Sequence, residues 1–223
     1  MRQSDLIVLC SEYCQKDLSK KYDLSKKRTG VVPLGPMPVG QVGLYPESKA
    51  MILFWGRISS YKGIEYLLEA FVKVKSQIPE SMLCIAGNGN LYFPLNDYSL
   101  QGVEIINRYI PNAELHELIE RSTIVVLPYT DATQSGVIMT AFAHNKPVIA
   151  TNVGGLPEIV RHGETGLLVP PRNAEALSES LVNLLLDPEL RMHMKDQIKD
   201  LMLNECSWQM QAERTLNLYK NAL

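Results

Sequence analysis

The 223-residue sequence lacks most features that would mark a membrane, metal-dependent or nucleic-acid-binding protein. No apolar run approaches the ~20 residues of a spanning helix, and the first residues, MRQSD, are unlike a signal peptide. A net charge of −2 provides no basic face for nucleic acid. The cysteines form no CxxC pair and no metal-ligand spacing with the four histidines. We therefore expect a cytoplasmic globular protein whose four cysteines are reduced and buried: Cys10, Cys14, Cys84 and Cys206.

Apolar strands alternate with amphipathic helices through most of the chain. The predicted strands are 51–55, 82–86, 103–106, 123–127, 148–150 and 166–169. The predicted helices are 64–78, one capped by Asn112, one opening at Ser135–Gly136, one capped by Asn173, 188–203 and 207–223. Such alternation predicts an α/β fold with a doubly wound parallel sheet and helices on both faces.

The first 40 residues form a separate unit in this interpretation. A strand at Leu6–Cys10 precedes a helix over 11–25, which Ser11 caps. The following stretch, GVVPLGPMPVGQVGLYP, holds four prolines and four glycines, which predicts a linker. A strand and a helix cannot bury a core alone, so this unit packs on the main domain or ends a domain absent from this chain. We expect it to dock near residues 207–223.

Small or polar loops follow four of the predicted strands, at what would be one edge of the sheet. They are Gly56–Gly63, Gly87-Asn88-Gly89, the loop leading to Gly136, and Asn152–Gly155. Ligands of open α/β sheets bind at this carboxyl edge. The two cations of the first loop, Arg57 and Lys62, favour phosphate. The helix opening at Ser135–Gly136 would add unpaired N–H groups and a positive dipole end.

Several of these residues also have purely structural interpretations. The turn at Gly87-Asn88-Gly89 could simply be tight, and Gly154-Gly155 could allow close packing of a strand and a helix. His144 fits a surface residue, and Glu158 fits the first turn of its own helix, where an acid stabilises the dipole. The lysines around residues 20–28 fit a solvated face, with a membrane-surface role as the alternative.

A series of motifs resembles the carboxyl-terminal domain of GT-B-fold glycosyltransferases, in particular the retaining family four, or glycosyl transferases group 1. The motifs are GRISSYKG, IAGNG, YIPNAEL, VVLPY, KPVIATNVGGLPEIV, HGETGLLVPP and SWQMQAERTLNLY. The resemblance runs from about Ala50 to Leu223 and implies a Rossmann-like, nucleotide-sugar-binding domain over residues 41–223. Residues 1–40 are similar to the last strand, last helix and hinge of that family's amino-terminal acceptor domain.

The resemblance implies a donor site built from three parts. Arg57 and Lys62 would hold the donor diphosphate. The segment Arg108-Tyr109-Ile110 would line the nucleobase pocket through its backbone. Ser135, Gly136 and Val137 would face the distal phosphate and the sugar. The strand-end residues Gly56, Gly87 and Asn88 complete the donor-binding set.

One departure from the family pattern concerns two glutamates that the family commonly carries eight residues apart. Ala132 and Thr140 occupy these positions here, so neither carboxylate is present. Gln134 and Thr140 would offer weaker polar contacts to the donor. No catalytic residue is therefore assigned.

The resemblance implies transfer of a sugar from a nucleotide-sugar to a glycan or lipid-linked acceptor, with retention and without a metal or cofactor. The isolated chain would be inactive until an amino-terminal domain or self-association completes it. The alternatives are a non-catalytic nucleotide-sugar-binding module, a truncated gene product, or a GT-B-like epimerase or phosphorylase. The expected location is the cytoplasm, with peripheral contact at the inner membrane surface.

Overall fold

The computed structural model describes residues 4–25, 27–38 and 40–221. The strands are β1 (Leu6–Leu9), β2 (Arg28–Val31), β3 (Met51–Trp55), β4 (Met82–Gly87), β5 (Val103–Asn107), β6 (Ile124–Leu127), β7 (Val148–Thr151) and β8 (Gly166–Val169). The helices are α1 (Glu12–Lys21), α2 (Ile64–Gln77), α3 (Asn112–Arg121), α4 (Gly136–Ala143), α5 (Ala174–Leu186), α6 (Pro188–Asn204) and α7 (Trp208–Lys220). Short 3₁₀ turns lie at Ser60–Lys62, Leu95–Asp97 and Leu156–Glu158.

Six parallel strands form the main sheet in the order β5-β4-β3-β6-β7-β8, flanked by helices. Strands β6 and β7 are buried at every position, as expected for apolar runs covered on both faces. The chain moves outward from β3 in one direction through β4 and β5, then returns to pair β6 on the other side of β3. This reversal is the topological switch point at which such sheets bind ligands. The predicted doubly wound α/β fold is confirmed.

Most helix boundaries fall within a few residues of the predictions, with two local differences. The apolar spacing of α2 would place Val72 on the core stripe with Ile64 and Leu68, but Val72 is 44% exposed and Val74 is buried instead. Asn112 is the first residue of α3 rather than its cap, since Pro111 holds the extended N-cap position. The caps predicted at Asn173 and Ser11 are confirmed, each side chain accepting a backbone N–H of the first turn.

The strand β2 is absent from the sequence prediction, which placed the start of the linker at Val31. Its four residues, RTGV, carry no alternation that distinguishes a strand. They form one because residues Arg28–Val31 pair in parallel with Leu6–Leu9 of β1. This two-stranded sheet is separate from the main sheet.

The expected docking of the first unit near the last helix is confirmed for β2 and the linker. The Trp208 indole Nε1 donates to the Pro36 carbonyl at 2.8 Å, and Arg28 Nη1 donates to the Asn221 carbonyl at 2.6 Å. Gly30 passes Leu218 so closely that an added Cβ would lie 2.4 Å from its Cδ1 atom. The assignment of residues 1–40 to an incomplete amino-terminal domain stays a prediction.

The helix α1 is shorter than predicted and docks elsewhere, against the turn that ends at Glu158. Both carboxylate oxygens of Glu158 accept backbone N–H groups at the start of α1, from Glu12 at 2.8 Å and Tyr13 at 2.7 Å. The Ser11 hydroxyl donates to the Thr133 carbonyl at 3.2 Å. Glu158 lies in the first turn of its own short 3₁₀ helix, as predicted, and it also stabilises the amino terminus of α1, which the sequence did not predict.

The substitution Glu158→Ala is expected to lower the free energy of unfolding by about 1 kcal/mol, the usual cost of removing a helix cap. Urea unfolding monitored by circular dichroism would measure the loss. Glu164, which is exposed and lies six residues later in the chain, before β8, provides a matched control as Glu164→Ala. Equal stability of the two variants would show that the two hydrogen bonds to α1 contribute nothing.

All four cysteines are free thiols, as predicted, but only Cys84 and Cys206 are buried. Cys10 and Cys14 are half-buried at the start of α1, where the strand β1 ends. Burial raises the pKa of the Cys84 thiol to about 12, so this side chain packs as a neutral apolar group. Among the helices in the described part of the chain, none combines the length and apolarity needed to cross a bilayer.

Candidate functional site

Two glycines bring the carboxyl ends of β3 and β4 into contact. Gly56 and Gly87 have positive φ values of 131° and 155°, which favour glycine over any other residue. A Cβ on Gly87 would lie 1.7 Å from the Gly56 carbonyl oxygen. The Gly56 N–H also donates to the Ala86 carbonyl at 2.9 Å. The two loops therefore leave the sheet side by side, as the binding-edge prediction requires.

A cavity of about 350 Å³ opens beside this contact. It is lined by Trp55, Gly56, Arg57, Ala86, Gly87, Asn88, Tyr109, Ile110 and Leu115. Six of these residues belong to the predicted donor-binding set. Trp55 and Leu115, which sequence reasoning missed, add an indole and an apolar side chain to the wall. A cavity of this size, with aromatic and apolar walls and backbone polar groups, suits a planar heterocycle.

The Arg108 side chain is not part of the cavity wall. Its guanidinium makes two hydrogen bonds to the Glu114 carboxylate, at 2.7 and 2.6 Å, and a longer one to the Tyr109 carbonyl. These contacts fix the turn between β5 and α3, which carries Tyr109 and Ile110 to the cavity. The Arg108 side chain therefore positions the segment that contains Tyr109 and Ile110, and its guanidinium does not contact the cavity.

Arg57 stands exposed at the mouth of the cavity, with no hydrogen bond or salt bridge to any residue of the described ranges. It also borders a second, open depression of about 460 Å³ on the other side of its loop. That depression is lined by Ile58, Ser59, Ser60, Asn88, Gly89, Asn90 and Tyr92. The Ser59 hydroxyl is buried without a partner in the part of the chain that the structure describes. An arginine without a carboxylate partner is available to an anion.

Lys62 is a buried cation, only 8% exposed, in the 3₁₀ turn that follows β3. Its Nζ atom lies 3.6 Å from the centre of the Tyr129 ring and 5.0 Å from that of Tyr61. These cation–π contacts offset part of the cost of burying the charge. Burial, and secondly the charge of Arg57, lowers the pKa of Lys62 to about 8. A nearby anion would restore the stability of the charged form.

Tyr129 connects Lys62 to the amino terminus of α4. The ring is 1% exposed, and burial raises its pKa while the Ser135 side chain, which faces the hydroxyl, lowers it. Ser135 occupies the N-cap position of α4, but no side chain caps the helix. The N–H groups of the first turn of α4 therefore receive no acceptor from the side chain of its N-cap residue. Lys62 is thus linked to this helix end through Tyr129, whereas the convergence of Arg57 on it stays a prediction.

The two remaining members of the predicted set differ in what they can offer a ligand. The Thr140 hydroxyl donates to the Gly136 carbonyl at 3.1 Å inside α4, so its proton is already used. Gln134 has a buried side-chain oxygen that has no hydrogen-bond partner among the described residues. Gln134 and Thr140 therefore each retain an acceptor for a ligand, but the Thr140 hydroxyl proton is not available as a donor.

Gly154 and Gly155 have a structural role, but they allow two loops to pack closely rather than a strand and a helix. Gly154 has φ of 56°, and an added Cβ would lie 1.3 Å from the Ala132 carbonyl oxygen. A Cβ on Gly155 would lie 2.3 Å from the Thr133 carbonyl oxygen. These glycines allow the loop after β7 to pack against the loop before α4, which holds that helix end in place.

The prediction that His144 is a surface residue is wrong. It is 2% exposed and its Nδ1 atom lies 2.8 Å from the Glu120 carboxylate. His144 is the residue after α4 and packs against α3, where its ring lies 5.5 Å from the His116 ring. Its partner lies 24 residues earlier in the chain, so no local sequence pattern could predict the contact.

The comparisons with known proteins agree with the motifs. The family model for glycosyl transferases group 1 matches residues 41–201. An uncharacterized glycosyltransferase of Methanocaldococcus jannaschii is 32% identical over 82% of this chain and 47% of its own length. The chain spans about half the length of the curated relatives it matches.

Two solved structures share the fold. Sucrose-phosphate synthase from Thermosynechococcus elongatus has a TM-score of 0.78 and 24% identity, covering 98% of this chain and 58% of that one. HepE from Anabaena in complex with UDP has a TM-score of 0.77 and 18% identity, covering 99% of this chain and 65% of that one. The fold is therefore that of GT-B Rossmann-like domains, and the chain belongs to the glycosyl transferases group 1 family.

Proposed function

We propose that this chain is the donor-binding half of a retaining glycosyltransferase, which binds a nucleoside-diphosphate sugar at the carboxyl edge of the main sheet. One observation carries the proposal. Arg57 lines a cavity sized for a nucleobase, and Lys62 in the same loop packs on Tyr129, which neighbours Ser135 at the uncapped amino terminus of α4; neither cation has a carboxylate partner among the described residues. The acceptor is a glycan or a lipid-linked saccharide held by an amino-terminal domain.

Each part of the site has a distinct role in this proposal. The base enters the cavity and meets the backbone of Tyr109 and Ile110, while Arg57 and Lys62 hold the diphosphate. The sugar lies toward the first turn of α4, near Gln134 and Ser135. The UDP in the Anabaena HepE structure supports a nucleoside diphosphate as the ligand class.

Catalysis would depend on stabilising the leaving diphosphate. As the bond to the anomeric carbon breaks, negative charge accumulates on the distal phosphate, and two fixed cations with a helix dipole stabilise that charge. Neither Ala132 nor Thr140 can act as a carboxylate base or nucleophile. We therefore propose electrostatic catalysis without a metal or cofactor, with retention of configuration.

A non-catalytic nucleotide-sugar-binding module is the second candidate. It is favoured by Ala132 and Thr140, which replace the two glutamates common in the family, and by the engagement of the Thr140 hydroxyl within α4. Both candidates require nucleotide binding, and only the enzyme requires turnover once the acceptor half is present.

Isothermal titration with nucleoside diphosphates and their sugars tests the proposed function directly. We expect one of UDP, GDP or ADP to bind with at least millimolar affinity, and the matching monophosphate to bind about tenfold more weakly, because it lacks the group that the two cations hold. Equal binding of mono- and diphosphate would contradict the assigned phosphate site. Absence of binding by every nucleotide would reject the proposal.

The lowered pKa of Lys62 leads to a pH dependence. The lysine must be protonated to attract the diphosphate, so affinity is expected to be constant below pH 8 and to fall up to about tenfold per unit above it. Bound phosphate raises this pKa, and binding above pH 8 should therefore take up a proton. Titrations between pH 7 and 9.5 in buffers of different ionisation enthalpy would measure both effects.

The conservative variant Lys62→Arg provides the control for this experiment. Arginine stays charged throughout the range, so its affinity profile should be flat where that of the parent falls. The same decline in both proteins would assign the pH dependence to another group.

A further inference from the structure

A second polar cluster lies beneath the linker, apart from the donor site. His116 and Glu120 are four residues apart on one face of α3, and His144 approaches them from the end of α4. All three are buried, at 5%, 4% and 2% exposure. One ligand atom of each lies within 4.8 Å of the other two, the one such group of three found in the described ranges.

The hydrogen bonds around His116 leave one ring nitrogen open. Its Nε2 atom lies 2.7 Å from the Gln41 carbonyl oxygen. A carbonyl only accepts, so Nε2 carries the proton and Nδ1 of the neutral ring keeps a lone pair. Gly40 passes this side of the ring, where a Cβ would lie 2.7 Å from Nδ1. The same arrangement, with the distal N–H held by a carbonyl, orients histidines that bind metals.

The linker also orients Glu120, which in turn faces His144. One Glu120 oxygen accepts the Gly43 N–H at 2.6 Å, which leaves the second oxygen to face His144 Nδ1 at 2.8 Å. Lys146 donates to the Glu120 backbone carbonyl at 2.7 Å and pairs with Glu47. The Gly43 N–H holds one carboxylate oxygen while Lys146 holds the Glu120 backbone, and a cation could replace the proton between Glu120 and His144.

We propose that His116, Glu120 and His144 form a binding site for a divalent transition-metal ion, with zinc as the expected occupant. Two imidazoles and one carboxylate are a donor set that suits zinc, nickel or cobalt, and not magnesium, which prefers oxygen ligands. The ion takes the place of the proton between His144 Nδ1 and Glu120; in a neutral His144 ring that proton moves to Nε2, and from a charged ring it leaves to solvent. A bound ion would also stabilise the position of the linker, because the linker residues Gln41 and Gly43 hydrogen-bond to the metal ligands His116 and Glu120.

Titration of the chelator-treated full chain with Co²⁺ tests the site. We expect d–d absorption that saturates at one ion per chain, displacement by Zn²⁺, and no competition from Mg²⁺. Zinc should also raise the melting temperature, since it binds only the folded chain. A thiolate-to-cobalt charge-transfer band would assign the ion to cysteines and overturn the proposal, as would the lack of any site tighter than millimolar.

Variants then separate these ligands from surface histidines. His116→Gln and Glu120→Gln should each weaken zinc binding at least tenfold, whereas His193→Gln, on the exposed side of α6, should leave it unchanged. Unaltered affinity in His116→Gln or Glu120→Gln would reject the site. The titration of the parent protein does not depend on the variants folding, and its outcome is independent of nucleotide binding.

Discussion

Alanine at Arg57 or Lys62 is expected to weaken nucleoside-diphosphate binding by roughly 1–3 kcal/mol, the range for a charge-assisted hydrogen bond in a partly buried site. The double variant should bind more weakly than either single one, with less than additive loss because the two charges act on the same phosphates. Isothermal titration of the four proteins against the best diphosphate would measure these differences.

The two single variants should differ in stability as well as in binding. Lys62 is buried over the Tyr129 ring without a carboxylate partner, so its removal relieves a desolvated charge, while Arg57 is exposed. Lys49→Ala is a suitable control, because this exposed lysine precedes β3 at the opposite edge of the sheet. If the double variant bound the diphosphate as tightly as the parent, the phosphate site would have to lie elsewhere.

We expect the chain of residues 1–223 alone to bind the donor but to transfer no sugar. A transferase of this architecture closes two domains around donor and acceptor, which positions the reactants and excludes water. The site described above is open on one side, where Arg57 and Tyr109 are exposed. Product analysis after prolonged incubation of the chain with donor and acceptor would check that no transfer product forms.

Supplying the amino-terminal half of a group 1 glycosyltransferase, fused ahead of residue 1 or as a separate chain, should restore turnover. Complex formation by the separate chain can be followed by analytical ultracentrifugation. Robust transfer by residues 1–223 without that half would overturn the prediction. A complex that binds the donor but transfers nothing to a panel of glycan and lipid-linked acceptors would favour the non-catalytic module.

The sheet could be predicted because each of its strands is a short apolar run that must be covered on both faces, as Val148–Thr151 illustrates. The loops of the site were also visible, since glycines and cations follow strand ends at Gly56, Arg57 and Gly87. Strand β2 could not be predicted, because its residues form a strand only through pairing with β1. Its stability depends on a partner rather than on its own pattern.

The residues missed at the two sites share a physical cause. In the sequence, Tyr129 and Trp55 look like ordinary core aromatic residues. Only the fold shows that the Tyr129 ring contacts the Lys62 ammonium group and that Trp55 lines a cavity. His144 meets Glu120 across two helices. In each case the decisive contact joins parts of the chain far apart in sequence, where propensity and periodicity carry no information.

The positions of the two tryptophans give the molecule a pair of independent optical reporters. Trp55 is 7% exposed and lines the candidate nucleobase cavity, whereas Trp208 is 59% exposed and bonds to the linker through Pro36. In a Trp208→Phe background, emission would come from the donor cavity alone, and a stacked base would quench it. In a Trp55→Phe background, emission would follow release of the linker from α7. Ligand occupancy and domain rearrangement can thus be observed separately in one chain without an added label.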